Sequence, residues 1–405
     1  MSEFKKNSQQ LNFIDIFSGA GGLSCGMEIS GMNCLLGADI DSNALKTFAL
    51  NHKKAKIFCG PIENLDSKKI SILTENRPIH VVVGGPPCQG FSTVGRGNPN
   101  DLRNQLFLHF VRIVQITKPY FVIVENVTGL LAKKNEKILR SILLEFENLG
   151  YILNVQVMSA HHYGVAEKRR RTIIIGSRIN SEIQFPIPIC DVQKNKKYVA
   201  PLMVGDVIYD LSDPNGKTHN HDLKYSKISN PSDKARLRFI PEGKGIRYEK
   251  DEKAYLPKKL HFKVDWKNMP EGRFRQTKFQ RLHRKELGPT IMTNRHNYYH
   301  PTEDRYLTAR EAAKIQSFPN DFIFMGPISA QWRQIGNAVP PLLGFALGSK
   351  LIELYEIAKA GTKDKDLKNS TRSIKKIKLV RALAFNYKKK KKEIIPIADS
   401  REEYQ

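Results

Sequence analysis

Three groups of residues in this chain could do covalent chemistry together. Cys88 stands in "GGPPCQGFS", Gly84 to Ser92, where two prolines stiffen the backbone just ahead of the thiol. Glu125 and Asn126 close the apolar run "YFVIVEN", and Arg169, Arg170 and Arg171 open "RRRTIIIG". A cysteine is most often a small buried hydrophobe. Here the rigid approach and the polar stretch "GFSTVGRGNPNDLRN" that follows suit a nucleophile pinned beneath a loop that closes. A carboxylate ending a buried strand is costly to desolvate unless it has a task or a partner; the plain alternative is a helix cap or a salt bridge. The arginines can neutralise a thiolate, a phosphate or Glu125, or simply face solvent.

A fourth element supplies a ligand. "FIDIFSGAGGLSCGME" places Gly19, Gly21 and Gly22 between a strand end and a helix, and Asp39 follows about one strand later in "GADID". Glycines there let the backbone approach a ligand, the helix N-terminus adds partial positive charge, and an acid at that distance bonds ribose hydroxyls. The pattern points to an adenosine-containing cofactor rather than an ordinary tight turn. It leaves dinucleotides and S-adenosylmethionine both open, although Ser24 stands where the third glycine of a dinucleotide fingerprint would be.

Thiol, carboxyl group, arginines and adenosine cofactor suggest one reaction. Carbon 5 of cytosine is a poor nucleophile. If a thiolate adds to carbon 6 while an acid protonates ring nitrogen 3, the ring becomes an enamine that accepts a methyl group at carbon 5. Loss of the carbon-5 proton then expels the cysteine. A thiol of pKa about 8.5 is largely protonated at neutral pH, so nearby arginines or a helix N-terminus would be needed to lower it. Rigidity would bring the sulfur to one ring carbon.

The elements that must position these groups are legible in outline. Strands are expected at "NFIDIF", "NCLLGAD", "HVVVGG", "YFVIVEN", "LNVQVMS" and "RTIIIGS", several of them near-continuous apolar runs as in strands buried on both faces. Helical patterns such as "NALKTFALNH", "LFLHFVRIVQIT" and "EKILRSILLEFENLG" alternate with them. That alternation predicts an α/β fold with a doubly wound, mostly parallel sheet. From about Ser177 to His300 the rhythm breaks down, with 25 Lys and Arg against 14 acids; a smaller, irregular, mainly β domain is expected there. Helical periodicity returns in "LTAREAAKIQSF", with a capping box from Thr308 to Glu311. It continues in "LLGFALGSKLIELYEIA", which should pack on the first domain. The expected organisation is a catalytic domain over 1–177 completed by 330–358, a recognition domain and hinge over 178–329, and a disordered basic tail over 359–405.

Charge narrows the partners. Lys and Arg outnumber Asp and Glu by 66 to 40, a net +26, which favours a polyanion, most often nucleic acid. Residues 359–405 hold 15 basic and 6 acidic residues, or +9, so +17 remains on the rest. The 5 cysteines show no paired spacing and no C-x-x-C, which argues against a disulfide framework and a structural zinc site. "MSEFKKNSQQ" lacks the apolar region of a signal peptide, and no membrane span is expected. A cytoplasmic protein without metal is the expectation.

These residues resemble, in order, the motifs of the cytosine-5 DNA methyltransferases over residues 12–177 and 302–350. "DIFSGAGG" is similar to the family's cofactor motif, "GGPPCQGFS" to its nucleophile motif and "ENV" to its acid motif. "EKRRR" resembles its Gln-x-Arg-x-Arg element and "QIGNAVPP" its last motif. The resemblance implies a class I S-adenosylmethionine-dependent, Rossmann-like fold. It implies that Cys88 is the nucleophile, that Glu125 protonates the base, and that Arg169 and Arg171 serve the same centre. Phe17, Ser18, Gly19, Gly21, Gly22, Asp39, Ile40, Ile62, Pro86, Leu106, Asn337 and Ala338 would line the S-adenosylmethionine site, with Asp39 on the ribose and Ile40 against the adenine. The family flips its target base out of the duplex, so the loop from Thr93 to Asn104 should close over it, with Gln89 and Ser92 meeting DNA.

Three positions depart from the pattern: Pro61 stands where many relatives have an acid bonding the adenine amino group, Glu167 replaces the usual Gln, and Ala166 replaces a frequent Pro. In the middle region Arg273, Arg275, Arg281, Arg284, Arg295 and Asn297 are the candidates for DNA contact, as base readers or phosphate contacts. A monomeric modification enzyme acting on double-stranded DNA, with a cognate restriction endonuclease, is the role that relatives of this size suggest. Rival readings fit less well. An amino methyltransferase would need a polar-Pro-Pro-aromatic turn, and Cys88 ends this one. The tRNA-methylating branch has a Cys-Phe-Thr signature, whereas Asp191 follows Cys190. A dinucleotide oxidoreductase leaves Cys88 and Glu125 unexplained. A non-catalytic DNA-binding relative would be expected to lack one of them.

Overall fold

The structure, a computed structural model, describes residues 10–87, 105–190 and 200–361. Cys88, Gln89 and Ser92, the loop from Thr93 to Asn104 and the tail beyond Gly361 lie outside the described residues. The chain divides into two compact units, one of 1–77, 159–169 and 186–349, the other of 78–158, 170–185 and 350–405.

In the first unit β1 (Asn12–Ile16) leads through a glycine turn to α1 (Gly22–Ile29). β2 (Asn33–Asp39), α2 (Ser42–Asn51), β3 (Lys56–Cys59) and α3 (Ser67–Leu73) follow. β2 pairs in parallel with β1 on one side and β3 on the other. Phe13, Ile14, Ile16 and Leu35 are fully buried; each such side chain contributes roughly 1.5–3 kcal/mol by leaving water. The Asp41 carboxylate caps α2 by accepting from the amides of Asn43 and Ala44, and Asp66 caps α3 through Lys69. β3 and α3 are additions to the expected elements. β3 is a largely exposed edge strand whose apolar run, Ile57 to Cys59, is only three residues long.

The second unit holds β4 (Val81–Gly84), α4 (Gln105–Thr117), β5 (Phe121–Asn126), α5 (Glu136–Asn148), β6 (Ile152–Ser159) and β7 (Arg170–Ser177). β4 and β5 are parallel. β7 runs antiparallel to β5, pairing Ile173 with Glu125 and Thr172 with Asn126. Phe107, Phe110 and Phe146 form an edge-to-face cluster joining α4 to α5. Strand order is β3-β2-β1-β4-β5-β7-β6: the chain winds outward from β1, returns, and winds the other way. This doubly wound, mostly parallel sheet, in which β7 runs against β5, is the class I methyltransferase fold.

The first unit resumes with α6 (Val204–Val207), α7 (Pro231–Leu237), β8 (Ile246–Tyr248), α8 (Glu249–Tyr255) and β9 (Arg273–Lys278). β8 and β9 form the smaller antiparallel sheet, set among short helices and turns over its own core of Leu237, Ile246, Phe274 and Phe279. α9 (Ala309–Ile315), α10 (Ile328–Asn337) and α11 (Pro341–Gly361) close the chain's described part. The Thr308–Glu311 capping box is present in both directions. α10 docks on α2, where Thr47 donates to the Gln334 side chain at 2.7 Å. The Gly344 backbone of α11 rests on Leu23 and Gly26 of α1. Among the described residues only Ile328–Gly361 is long and apolar enough for a membrane span by composition, and 61% of its most apolar window is buried inside the protein.

Candidate active site

The glycine turn is built from backbone geometry. Phe17 holds φ +63°, Gly19 +53° and Gly21 +87°, the left-handed region that a bulky aromatic seldom adopts. The Gly19 amide donates to Asp39 Oδ2 at 2.8 Å, and the Asp41 amide donates to Asp39 Oδ1 at 2.9 Å. These bonds fix the acid across the turn while burial raises its pKa. A Cβ on Gly21 would lie 2.2 Å from His52 Nε2, and one on Gly22 would lie 2.4 Å from the Val339 carbonyl oxygen. Neither position tolerates a side chain. Beneath the turn Ser24 donates to Asp15 Oδ2 at 2.6 Å. Asp15 is buried, which pushes its carboxyl up to about 7.

The residues present fit an adenosine-type ligand. Ser18 Oγ is buried and makes no hydrogen bond among the described residues. Ile40 leaves 72% of its surface open immediately after the Asp39 carboxylate. An apolar side chain so exposed beside a fixed carboxylate offers one surface to a base and one to a sugar. Ile62 is buried, whereas Asn337 is exposed and Ala338 half-buried at the end of α10. In the second unit Pro86 is buried and Leu106 half-buried.

At the carboxyl end of β5 the arrangement is built from charge. Arg171 Nε stands 2.7 Å from Glu125 Oε1, both side chains mostly buried. Arg171 also donates to the Arg170 carbonyl at 2.9 Å. A Cβ on Gly85 would come within 3.0 Å of Glu125 Oε2, so the absence of a side chain there admits the carboxylate. Asn126 donates through Nδ2 to the Pro86 carbonyl at 3.1 Å, and its Oδ1 accepts from the Val127 amide at 2.8 Å. One amide thus ties the end of β5 to the double-proline turn that leads into Cys88. Burial pushes the Cys25 thiol up to about 12 and raises the Cys34 and Cys190 thiols as well. Those three are unsuited to act as thiolates.

Sequence reasoning grouped Arg169 with Arg171; in the structure the two have different partners. Arg169 is 1% exposed. It donates to the carbonyls of Ile291 at 3.3 Å and Gly336 at 3.0 Å, and it lies in the other compact unit. The DNA-facing candidates divide likewise. Arg281, expected on the DNA side, is 6% exposed. Its two terminal nitrogens bond the carbonyls of His300, Glu303 and Leu237 and the Asp304 carboxylate, and its Nε is buried. Arg284 is exposed in a fork with Glu242, Arg273 pairs with Glu271, and Arg295 donates to the Tyr225 carbonyl at 3.0 Å. Arg275 is exposed and Asn297 half-buried.

Sequence reasoning missed the Asn126 clamp, the close approach at Gly85 and the His52–Glu28 pair at 2.6 Å beneath Gly21. Only the first had a signal, an asparagine directly after the candidate acid. Among the described residues no cluster of His, Cys, Asp and Glu could hold a metal ion.

Fold and site together define a class I methyltransferase with an ion-paired carboxyl group at the end of β5. The model of C-5 cytosine-specific DNA methylases matches residues 11–353. A type II methyltransferase of Haemophilus parahaemolyticus, M1.HphI, is 32% identical over 358 residues, which cover 87% of this chain and 90% of that one. M.Sau96I of Staphylococcus aureus is 32% identical, covering 87% and 78%. A crystal structure described as a DNA modification methyltransferase encoded within an E. coli prophage superposes with a TM-score of 0.65 at 26% identity, covering 86% of this chain and all of that one. The chain belongs to the C-5 cytosine-specific DNA methylase family. It is a DNA (cytosine-5-)-methyltransferase.

Proposed function

We propose that this enzyme takes its methyl group from S-adenosylmethionine and delivers it to one cytosine within a short, specific duplex sequence. It acts as a cytoplasmic monomer and forms the modification half of a restriction-modification system. Its catalytic domain spans 1–177 with 330–358, and residues 178–329 read the DNA. The observation that carries the chemistry is the Glu125–Arg171 pair at 2.7 Å, held at the strand end whose neighbour, Asn126, grips the turn before Cys88. Asp39, Ile40 and the Ser18 hydroxyl would hold the ribose, adenine and polar tail of the cofactor, which supplies an electrophilic methyl group when bound.

The Cys88 thiolate adds to carbon 6 of an extrahelical cytosine while Glu125 gives a proton to nitrogen 3. Arg171 keeps the Glu125 carboxyl aimed at the ring. Electron density moves to carbon 5, which takes the methyl group. Water takes the carbon-5 proton, the carbon 5–carbon 6 double bond re-forms as the carbon–sulfur bond breaks to release the Cys88 thiolate, and nitrogen 3 returns its proton to Glu125. Methylation of genomic DNA followed by bisulfite sequencing tests the reading, with protection expected at one recurring sequence. Duplexes carrying 5-fluorocytosine should trap a covalent adduct on Cys88, because no proton can leave carbon 5. Modification of RNA in place of duplex DNA, or an adduct on another residue, would overturn the proposal.

A further inference from the structure

The small antiparallel sheet of β8 and β9 carries two guanidinium groups that nothing among the described residues engages, those of Arg247 and Arg275. Every other arginine of residues 200–361 meets a carboxylate or a carbonyl. The two differ in burial. Arg275 is exposed, whereas Arg247 is half-buried and its Nε lies buried without a hydrogen-bond partner. A buried donor left unmet is costly, and acids to meet it stand close by in sequence. α8 supplies Glu249, Asp251 and Glu252, yet all three are spent elsewhere. Glu249 pairs with Lys253 at 2.8 Å. Asp251 Oδ2 accepts the amides of Arg247 and Tyr248 at 3.0 and 2.9 Å, and Glu252 accepts the Trp266 indole N–H at 2.8 Å. Asp251 thus fixes the main chain of Arg247 and leaves its side chain uncommitted.

The partner strand is shaped around this residue. Tyr248 pairs with Arg273 and Ile246 with Lys278, so Arg247 alone stands opposite Phe274 to Thr277. Such a bulge bends a strand and re-aims its side chains. Phe274 and Phe279 are buried in one core with Ile246, and Arg275 and Gln276 are left exposed between them. A two-stranded ribbon has the width to enter a major groove. We propose, resting on the reading that residues 178–329 meet duplex DNA, that this ribbon enters the major groove, where Arg247 reads a guanine through O6 and N7 and Arg275 holds a phosphate. Burial divides the roles. A half-buried side chain on a fixed backbone selects one base edge, because any other leaves its donors unmet. An exposed one on a bulge neutralises charge without selecting. The recognised sequence must then hold a G·C pair besides that of the target cytosine.

The test measures methylation rates on duplexes in which each pair of the sequence mapped by bisulfite is exchanged in turn. Arg247→Met keeps the apolar stem and removes the donors. It should lose discrimination at one G·C pair by roughly tenfold to a hundredfold, keep it at the others, and retain the wild-type thermal midpoint and salt slope. 7-Deazaguanine at that pair, which lacks the N7 acceptor, should slow the wild-type protein and leave Arg247→Met unaffected. Arg275→Ala should keep discrimination at every pair and lower the salt slope by about 1. The proposal is overturned by a recognised sequence without a second G·C pair or by unchanged discrimination in Arg247→Met. It is equally overturned by a loss uniform over all pairs, where a lower salt slope would mark a phosphate contact and a lower thermal midpoint a structural role. Failure of the wild-type protein to methylate any duplex would instead defeat the functional reading beneath it.

Discussion

The glycine turn after β1 and the end of β5 are built of opposite materials. The turn is made of main chain: three left-handed residues and two glycines with no room for a methyl group, with an aspartate held by amides. The end of β5 is made of side-chain charge, one carboxylate against one guanidinium with an asparagine behind them. The turn is therefore sensitive to volume at its glycines, and the strand end to charge at its Glu125–Arg171 pair. A methylene on a glycine should matter in the first region, a change of acid in the second, and the buried Asp15 beneath the turn adds a titrating group to the first.

The sharpest test of that contrast is Glu125→Gln, which keeps the shape and removes the acid. Single-turnover methylation should fall by about 10²–10⁴-fold, with the thermal midpoint nearly unchanged; a variant of ordinary activity would break the comparison. Asp15→Asn comes next. A carboxyl whose pKa rises to about 7 on folding binds more protons folded than unfolded. Its stability contribution is present at low pH and is lost as pH climbs from the unfolded value near 4 through 7. Denaturation against pH should show a loss on the order of 4 kcal/mol across that window, flattened in Asp15→Asn. Gly22→Ala should cost about 1–3 kcal/mol through overpacking on Val339, read as a lower denaturation midpoint together with weaker S-adenosylhomocysteine binding. Last is Arg275→Ala, which should weaken duplex binding modestly and lower the slope of log affinity against log salt by about 1, while Arg281→Ala should act on stability instead. An unchanged salt slope would remove Arg275 from the DNA side.

How far the sequence reached depends on the range of the interactions involved. Strands such as Val81–Gly84 and Phe121–Asn126 announce themselves because apolar runs are local and burial on both faces demands them. The Thr308 capping box spans three residues and is equally plain. β3 is faint, since its apolar run is three residues long and an exposed edge imposes little on its side chains. Arg281 and Arg169 look like their neighbours in a basic stretch. What buries them is a set of carbonyls contributed by distant residues, and carbonyls leave no trace in residue type. Arg171 and Glu125 could be named as candidates. Their meeting was one of three options for the arginines, and which option holds depends on which way β7 runs.

That reversal of β7 has a consequence for how the enzyme can change. Had this strand followed the direction of β5, its first residues would have emerged at the far rim of the sheet, and Arg171 would never have met Glu125. As built, loops elsewhere can grow or shrink by many residues without disturbing the meeting, yet a single codon lost within β7 would slip its ladder and turn alternate side chains to the wrong face. Natural length variation should therefore collect outside this strand, where it is harmless to the chemistry.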